Sequence, residues 1–219
     1  CDISSLQRVC KSNELLLIED AAEAFGSKWN NQFAGSFGDI AIFSFFGNKT
    51  ITTGEGGMLV SNNHEFIDRA NYLKNQAVSA TREYWYEEIG FNYRMTNVSA
   101  AIGLAQLENA CKILEKKRLI SSWYLDGLKE LPLIFQVEKI NTVHSYWMFS
   151  ILFKDNSTRE HVRNMLSEMR IETRPLFIPV HKMPVHKTND KFQVSENLSG
   201  RGVNLPSSPM LSSEDVNYI

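Results

Sequence analysis

Three short, unbroken apolar runs constrain this chain more than any other feature: "LLLIED" at 15–20, "IAIFSF" at 40–45 and "GMLVSN" at 57–62. An apolar run without polar alternation suits a strand covered on both faces, the kind found inside parallel sheets. Helical periodicity precedes the first run, from Ile3 to Asn13, and follows the third, from His64 to Asn75. Buried strands separated by loops and helices predict an α/β layer rather than a sandwich.

The second half reads differently. Asn97 is a candidate cap for one long helix reaching Glu130, with Val98, Ala101, Ile102, Ala105, Leu107, Cys111 and Leu114 as a broad apolar stripe. After Leu131-Pro132 come "SYWMFSILF" as a strand, "TREHVRNMLSEMR" as a helix capped by Thr158, and "IETRPLF" as a strand stopped by Pro175. The expected division is 1–110 as a large α/β domain and 111–219 as the long helix with a smaller α+β domain. Tyr146 and Trp147 are assigned to the core of the smaller domain.

Composition excludes several classes. The chain has 219 residues, 43% hydrophobic and 22% charged, with 23 basic against 25 acidic residues and no long block of one sign. That lacks the electrostatic footprint of a nucleic-acid binder, and the apolar runs are too short to span a bilayer. Cys1, Cys10 and Cys111 are widely spaced, which predicts free, mostly buried thiols in a reducing cytoplasm. The chain opens "CDISSLQ", with neither a methionine nor a secretory pattern, so a fragment or a trimmed chain is expected.

The chemistry gathers around "SFFGNKTITTGEGG" at 44–57. Asp20 ends the first buried strand, Ser44 ends the second, and Lys49 follows five residues later. All three are expected on one rim, at the carboxyl ends of the strands, where open α/β sheets bind ligands. Pyridoxal phosphate asks for such a set: a lysine for the Schiff base, a carboxylate for the ring nitrogen, and hydroxyls for the phosphate. Plainer roles stand beside these: a solvated loop lysine for Lys49, and for Asp20 the cap of a helix starting at "AAEAFG". A phosphate-binding P-loop fails on spacing, and Gly54, Gly56 and Gly57 read as a tight turn into the third strand.

Five stretches in order resemble one family, the nucleotide-sugar aminotransferases of the DegT type. They are "IEDAAEAFGS", "GSFGDIAIFSFFGNKTITTGEGGMLV", "IGFNYRMTNVSAAIGLAQLE", "IETRPLFIPVHKMP" and "GVNLPSSPML". The resemblance implies the C-terminal part of an aspartate-aminotransferase-like, fold type I pyridoxal-phosphate enzyme. By position it makes Lys49 the Schiff-base lysine and Asp20 the partner of the pyridinium nitrogen. Glu23 falls near the cofactor ring and Ser44 at its phosphate. Asn92 matches a residue that reaches the neighbouring subunit's cofactor, which implies a homodimer with shared sites. Lys49 also sets the chain apart from the dehydratase branch, which has histidine there.

"SFFGNKTITTGEGGM" and "DAAEAFGS" are most similar to the perosamine-synthase branch. That implies transfer of an amino group from glutamate to carbon 4 of GDP-4-keto-6-deoxymannose. Arg94, Arg174 and His181 are candidate substrate contacts, with plain roles as alternatives: an interface ion pair, a solvated strand end and a satisfied loop histidine. The family's N-terminal segment, with the helix start that cradles the phosphate, does not precede Asp20 here. A catalytically silent sugar-nucleotide-binding module of the same fold is therefore the competing expectation.

Overall fold

A computed structural model describes residues 1–219. In chain order its elements are α1 (Ile3–Ser12), β1 (Ile18–Asp20), β2 (Lys28–Trp29), β3 (Gln32–Phe33), β4 (Ile40–Ser44), β5 (Gly57–Val60), α2 (His64–Lys74), α3 (Asn97–Glu108) and α4 (Ala110–Leu128). They continue with β6 (Ile134–Phe135), β7 (Thr142–Val143), β8 (Phe149–Leu152), α5 (Asn156–Glu168), β9 (Arg174–Pro175), α6 (Gln193–Arg201), β10 (Gly202–Leu205) and α7 (Ser213–Tyr218). The chain forms two compact units: Cys1–Leu114 with Lys139–Trp147, and Glu115–Glu138 with Met148–Ile219. Tyr146 and Trp147 therefore belong to the first unit, not to the second as the sequence suggested.

The first unit holds a three-stranded sheet in the order β1-β4-β5. β1 runs parallel to β4, with Asp20 opposite Ile42; β5 runs antiparallel to β4, with Gly57 opposite Ser44. The expected all-parallel, fully covered strands are thus corrected on two counts. The 45–56 loop folds back on the end of β4, where the Phe45 N–H donates to the Gly56 carbonyl at 2.9 Å, and β5 leaves antiparallel to β4. β1 and β5 are edge strands, and Leu15, Leu16, Ile18, Met58 and Leu59 stay exposed. A second small sheet, β3-β2-β7, contains a hairpin whose two-residue turn, Asn30-Asn31, has both φ values positive. Asparagine tolerates that geometry, so "NN" between short strands is a readable hairpin signal.

The long helix of the sequence reading is two helices. Thr96, not Asn97, caps α3 by accepting from the Ser99 N–H at 3.2 Å. Asn109 then interrupts the run, its side chain donating to the Ala105 carbonyl at 2.9 Å. Such side-chain bonds compete with the backbone ladder, and the break at Asn109 follows.

In the second unit an antiparallel sheet in the order β6-β8-β10-β9 carries the core. Phe149 and Ile151 point inward from β8 at the strand period of two, and all four residues of β10 are buried. Tyr124 of α4 stacks on Phe149 with ring centroids 4.9 Å apart. Asp155, rather than Thr158, caps α5, accepting from the Thr158 N–H at 2.7 Å. No helix is long and apolar enough to cross a membrane. The three cysteines are free, but Cys1 and Cys111 are exposed rather than buried.

Candidate active site

Because β1 and β4 are parallel and in register, their carboxyl ends share one edge. Asp20 faces Ile42 across the ladder, two residues short of Ser44. Successive side chains on β1 alternate sides, which separates Glu19 from Asp20. Glu19 accepts from the backbone N–H groups of Gly35, Phe37 and Gly38 at 2.8, 2.6 and 2.7 Å, so it ties down the loop leading into β4. Asp20 accepts one local bond, from the Ala22 N–H at 3.1 Å. Residues 21–27 form successive turns, not a helix, so the helix-cap role for Asp20 falls away. A carboxylate with one oxygen tied to its own turn and the other available is left at the rim.

The loop that carries Lys49 is anchored on both sides. Phe45 and Ile51 are buried in one cluster with Ala110, against which Phe25, Phe43, Met95 and Ile113 pack. The Phe45 N–H donates to the Gly56 carbonyl, and the Phe45 carbonyl accepts from the Thr53 N–H and the Thr52 hydroxyl, at 2.9, 2.9 and 3.0 Å. The Lys49 N–H closes a turn on the Phe46 carbonyl at 3.0 Å. Apolar residues and threonines around a lone lysine thus have a mechanical role: they fix the backbone from which the amine extends.

That amine is sheltered. The Lys49 side chain is 13% exposed, with Nζ 3.3 Å from Glu23 Oε1 and 4.1 Å above the centre of the Trp147 ring. The Trp147 indole N–H donates to the Asn48 carbonyl at 2.8 Å. Glu23 is half exposed, and an ion pair of that kind contributes roughly 0–1 kcal/mol. A cation–π contact adds about 0.5–2 kcal/mol. Both hold the amine without burying it irretrievably. Ser44 is partly buried, its hydroxyl accepting a long 3.4 Å bond from the Phe46 N–H.

The structure places Asp20 and Ser44 at the ends of adjacent parallel strands, brings Glu23 to Lys49 in the loops that follow them, and adds Trp147, which the sequence suggested for the second unit. No local pattern marks Trp147, because its partner Asn48 lies 99 residues away. The other candidates stand apart. Asn92 is exposed and bridged to Asn75 beyond α2, held by the Phe91 N–H to the Leu73 carbonyl at 2.7 Å and the Tyr93 N–H to the Lys74 carbonyl at 3.0 Å. Arg94 is exposed. Arg174 pairs with Glu172 at 3.2 Å, both exposed.

In the second unit, His181 Nε2 lies 3.1 Å from Glu196 Oε1. Lys182 donates to the other Glu196 oxygen at 2.9 Å, and the Phe192 N–H donates to Oε1 at 3.1 Å. These bonds, Lys182's first, hold the Glu196 carboxyl down to about 2. His181 and His186 line a cavity of about 400 Å³ together with Val180, Thr188, Phe192 and Ser195.

A sheltered primary amine beside a carboxylate is the equipment of a nucleophile for carbonyl groups. The chain is 49% identical to the GDP-perosamine synthase of Escherichia coli O157:H7 and 46% identical to that of Vibrio cholerae, matching along its whole length in both. It spans about 60% of the length of these relatives. Its fold superposes on the aminotransferase TlmJ from Streptoalloteichus hindustanus with a TM-score of 0.91 at 25% identity, covering 98% of this chain and 59% of that one. Helicobacter pylori PseC, an aminotransferase of pseudoaminic acid biosynthesis, gives a TM-score of 0.93 at 22% identity, covering 100% and 61%. The α/β, fold type I architecture expected from the sequence is the one these structures share. Residues 1–219 match the profile of that group throughout, and the chain belongs to the DegT/DnrJ/EryC1/StrS aminotransferase family.

Proposed function

We propose that this chain is the lysine-bearing part of a pyridoxal-phosphate-dependent sugar-nucleotide aminotransferase. The observation that carries this reading is the sheltered Lys49 amine on the strand edge that also bears Asp20 and Ser44. The donor set fits the cofactor: an amine, a carboxylate with an oxygen to spare, and a hydroxyl. When bound, pyridoxal phosphate supplies an aldehyde that captures amines and a protonated ring that draws electron density from the carbon being changed. Asp20 holds the proton on the ring nitrogen, and Ser44 donates its hydroxyl to the phosphate. Glu23 orients the amine. Lys49 Nζ, once free, takes a proton from one carbon and returns it to another.

The relatives support a narrower reading of the substrate. The identities of 49, 46 and 39% all belong to GDP-perosamine synthases, against 30% for a transaminase named for a dTDP-linked sugar. We therefore assign GDP-4-keto-6-deoxymannose as acceptor, carbon 4 as the site of amination and glutamate as donor. The product belongs to polysaccharide biosynthesis of the O-antigen type, and the free thiols suit a cytoplasmic enzyme. The complete protein acts as a homodimer in which Asn92 completes the partner's cofactor site. Support comes from α3, which buries none of its residues within the chain, and from the exposed Phe91, Tyr93, Val98 and Ile102. Arg94, Arg174 and His181 contact the substrate in that assembly.

The test is conversion of GDP-4-keto-6-deoxymannose to its 4-amino product by the complete protein with glutamate, read by mass spectrometry. Mixing an inactive Lys49→Ala subunit with an inactive Asn92→Ala subunit should restore activity, because one site of the mixed dimer keeps both residues. A mixture that exchanges subunits and stays inactive refutes the shared site. Absence of product from the wild-type protein, with cofactor bound, refutes the substrate.

A further inference from the structure

We propose that Trp147 is the positioning residue of the Lys49 amine, and that its ring face holds this amine whenever the amine is not covalently bound to cofactor. Three contacts in one unit converge on this role. The Lys49 Nζ stands 4.1 Å above the ring centre, the indole N–H fixes the Asn48 carbonyl at 2.8 Å, and Glu23 Oε1 meets the same amine at 3.3 Å. A lysine side chain carries about 2 kcal/mol of rotamer entropy and, left to itself, samples solvent. Lys49 instead is 13% exposed, while Lys154, paired only with its neighbour Asp155, is 74% exposed.

Glu23 alone does not account for that difference, since its own side chain is half exposed and its pairing with Lys49 is weak. The aromatic face supplies the remaining attraction, drawing the ammonium to the negative side of its quadrupole. The indole N–H supplies the geometry: by holding the peptide directly before Lys49, it keeps the lysine stem aligned with the ring. The amine is thereby kept on the edge that bears Asp20 and Ser44. Each time it is released it starts its return from the same place, which is how orientation reduces the barrier of a bond-forming step.

The inference rests on Lys49 being the cofactor lysine, and the experiment separates the two. The complete protein is loaded with pyridoxamine 5′-phosphate, which has no aldehyde to capture Lys49, and exposed briefly to acetic anhydride. Acetylation of Lys49 is read by peptide mass spectrometry relative to Lys154, for wild type, Trp147→Phe and Trp147→Leu. Phenylalanine keeps a ring face; leucine fills similar space without one. Relative acetylation of Lys49 should rise about tenfold in Trp147→Leu, the rate equivalent of one partly desolvated cation–π contact, and by a smaller factor of about threefold in Trp147→Phe, which keeps a ring face and loses the bond to the Asn48 carbonyl. Equal behaviour of the two variants, whether both protected or both released, overturns the proposal. A parallel sample receives pyridoxal phosphate and borohydride. Label on Lys49 with acetylation unchanged overturns only the Trp147 inference, and label on another lysine overturns both.

Discussion

Glu19 and Asp20 are neighbours in β1 and do opposite things: Glu19 accepts three backbone N–H groups from the 35–38 loop, and Asp20 accepts one from its own turn. Glu19→Gln should therefore destabilise the protein by about 1–2 kcal/mol, the loss expected when charge-assisted bonds to partly buried donors weaken. Asp20→Asn should leave the urea midpoint within experimental error. It should instead slow the single-turnover reaction with glutamate about a hundredfold, by removing the charge that keeps the ring nitrogen protonated. If both substitutions lower stability alike, Asp20 is structural.

Gly56 should be irreplaceable where Gly47 is not. Gly56 has φ +151°, and an added methyl would lie 2.5 Å from Thr53 Oγ1 and 2.8 Å from the Met95 methyl. At Gly47 the nearest atom is the Gly54 carbonyl oxygen at 3.8 Å. Gly56→Ala should cost about 1–3 kcal/mol and weaken cofactor retention, because its carbonyl anchors Phe45 beside the lysine loop. Gly47→Ala should change stability by less than about 1 kcal/mol. Equal melting temperatures for the two variants would show that the loop adapts.

Lys117 predicts a pH effect unrelated to the active site. It is a buried residue of α4 whose amine donates to the Ser207 carbonyl at 2.8 Å, and desolvation pushes it down from 10.5 to about 8. Below pH 8 the folded protein carries this charge at a cost of about 3 kcal/mol. Between pH 8 and 10.5 the folded form has released the proton and the unfolded chain still binds it, so the cost disappears as pH rises. Lys117→Met should be more stable than wild type at pH 7, and the gap should nearly close by pH 10, where a residual charge cost of about 1 kcal/mol in wild type offsets the lost hydrogen bond. Urea unfolding at both values checks this; a gap that does not change with pH contradicts it.

The strand edge was legible because Asp20, Ser44 and Lys49 lie close in sequence to apolar runs, and parallel pairing needs only that those runs become neighbours. Other features depend on contacts that a local pattern does not encode. Whether β5 turns back along β4 depends on how the 45–56 loop closes on Phe45, and the exposure of Leu15 and Ile18 depends on what lies beside β1. Among several adjacent polar residues, the one that caps a helix is chosen by backbone geometry, so Thr96 and Asp155 displaced Asn97 and Thr158. Trp147 reaches Asn48 across most of the first unit's sequence, and Tyr146 before it takes a left-handed backbone, φ 50°. Only the folded chain shows that pairing.

The sheltered Lys49 amine, on the loop after β4, is proposed to be the group that bonds the cofactor. Borohydride reduction of the complete protein loaded with pyridoxal phosphate, followed by peptide mapping, tests it most directly. One reduced phosphopyridoxyl group per subunit is expected, on Lys49, and none in Lys49→Ala. Cofactor-loaded protein that carries the label on a different lysine, or on none, would contradict it.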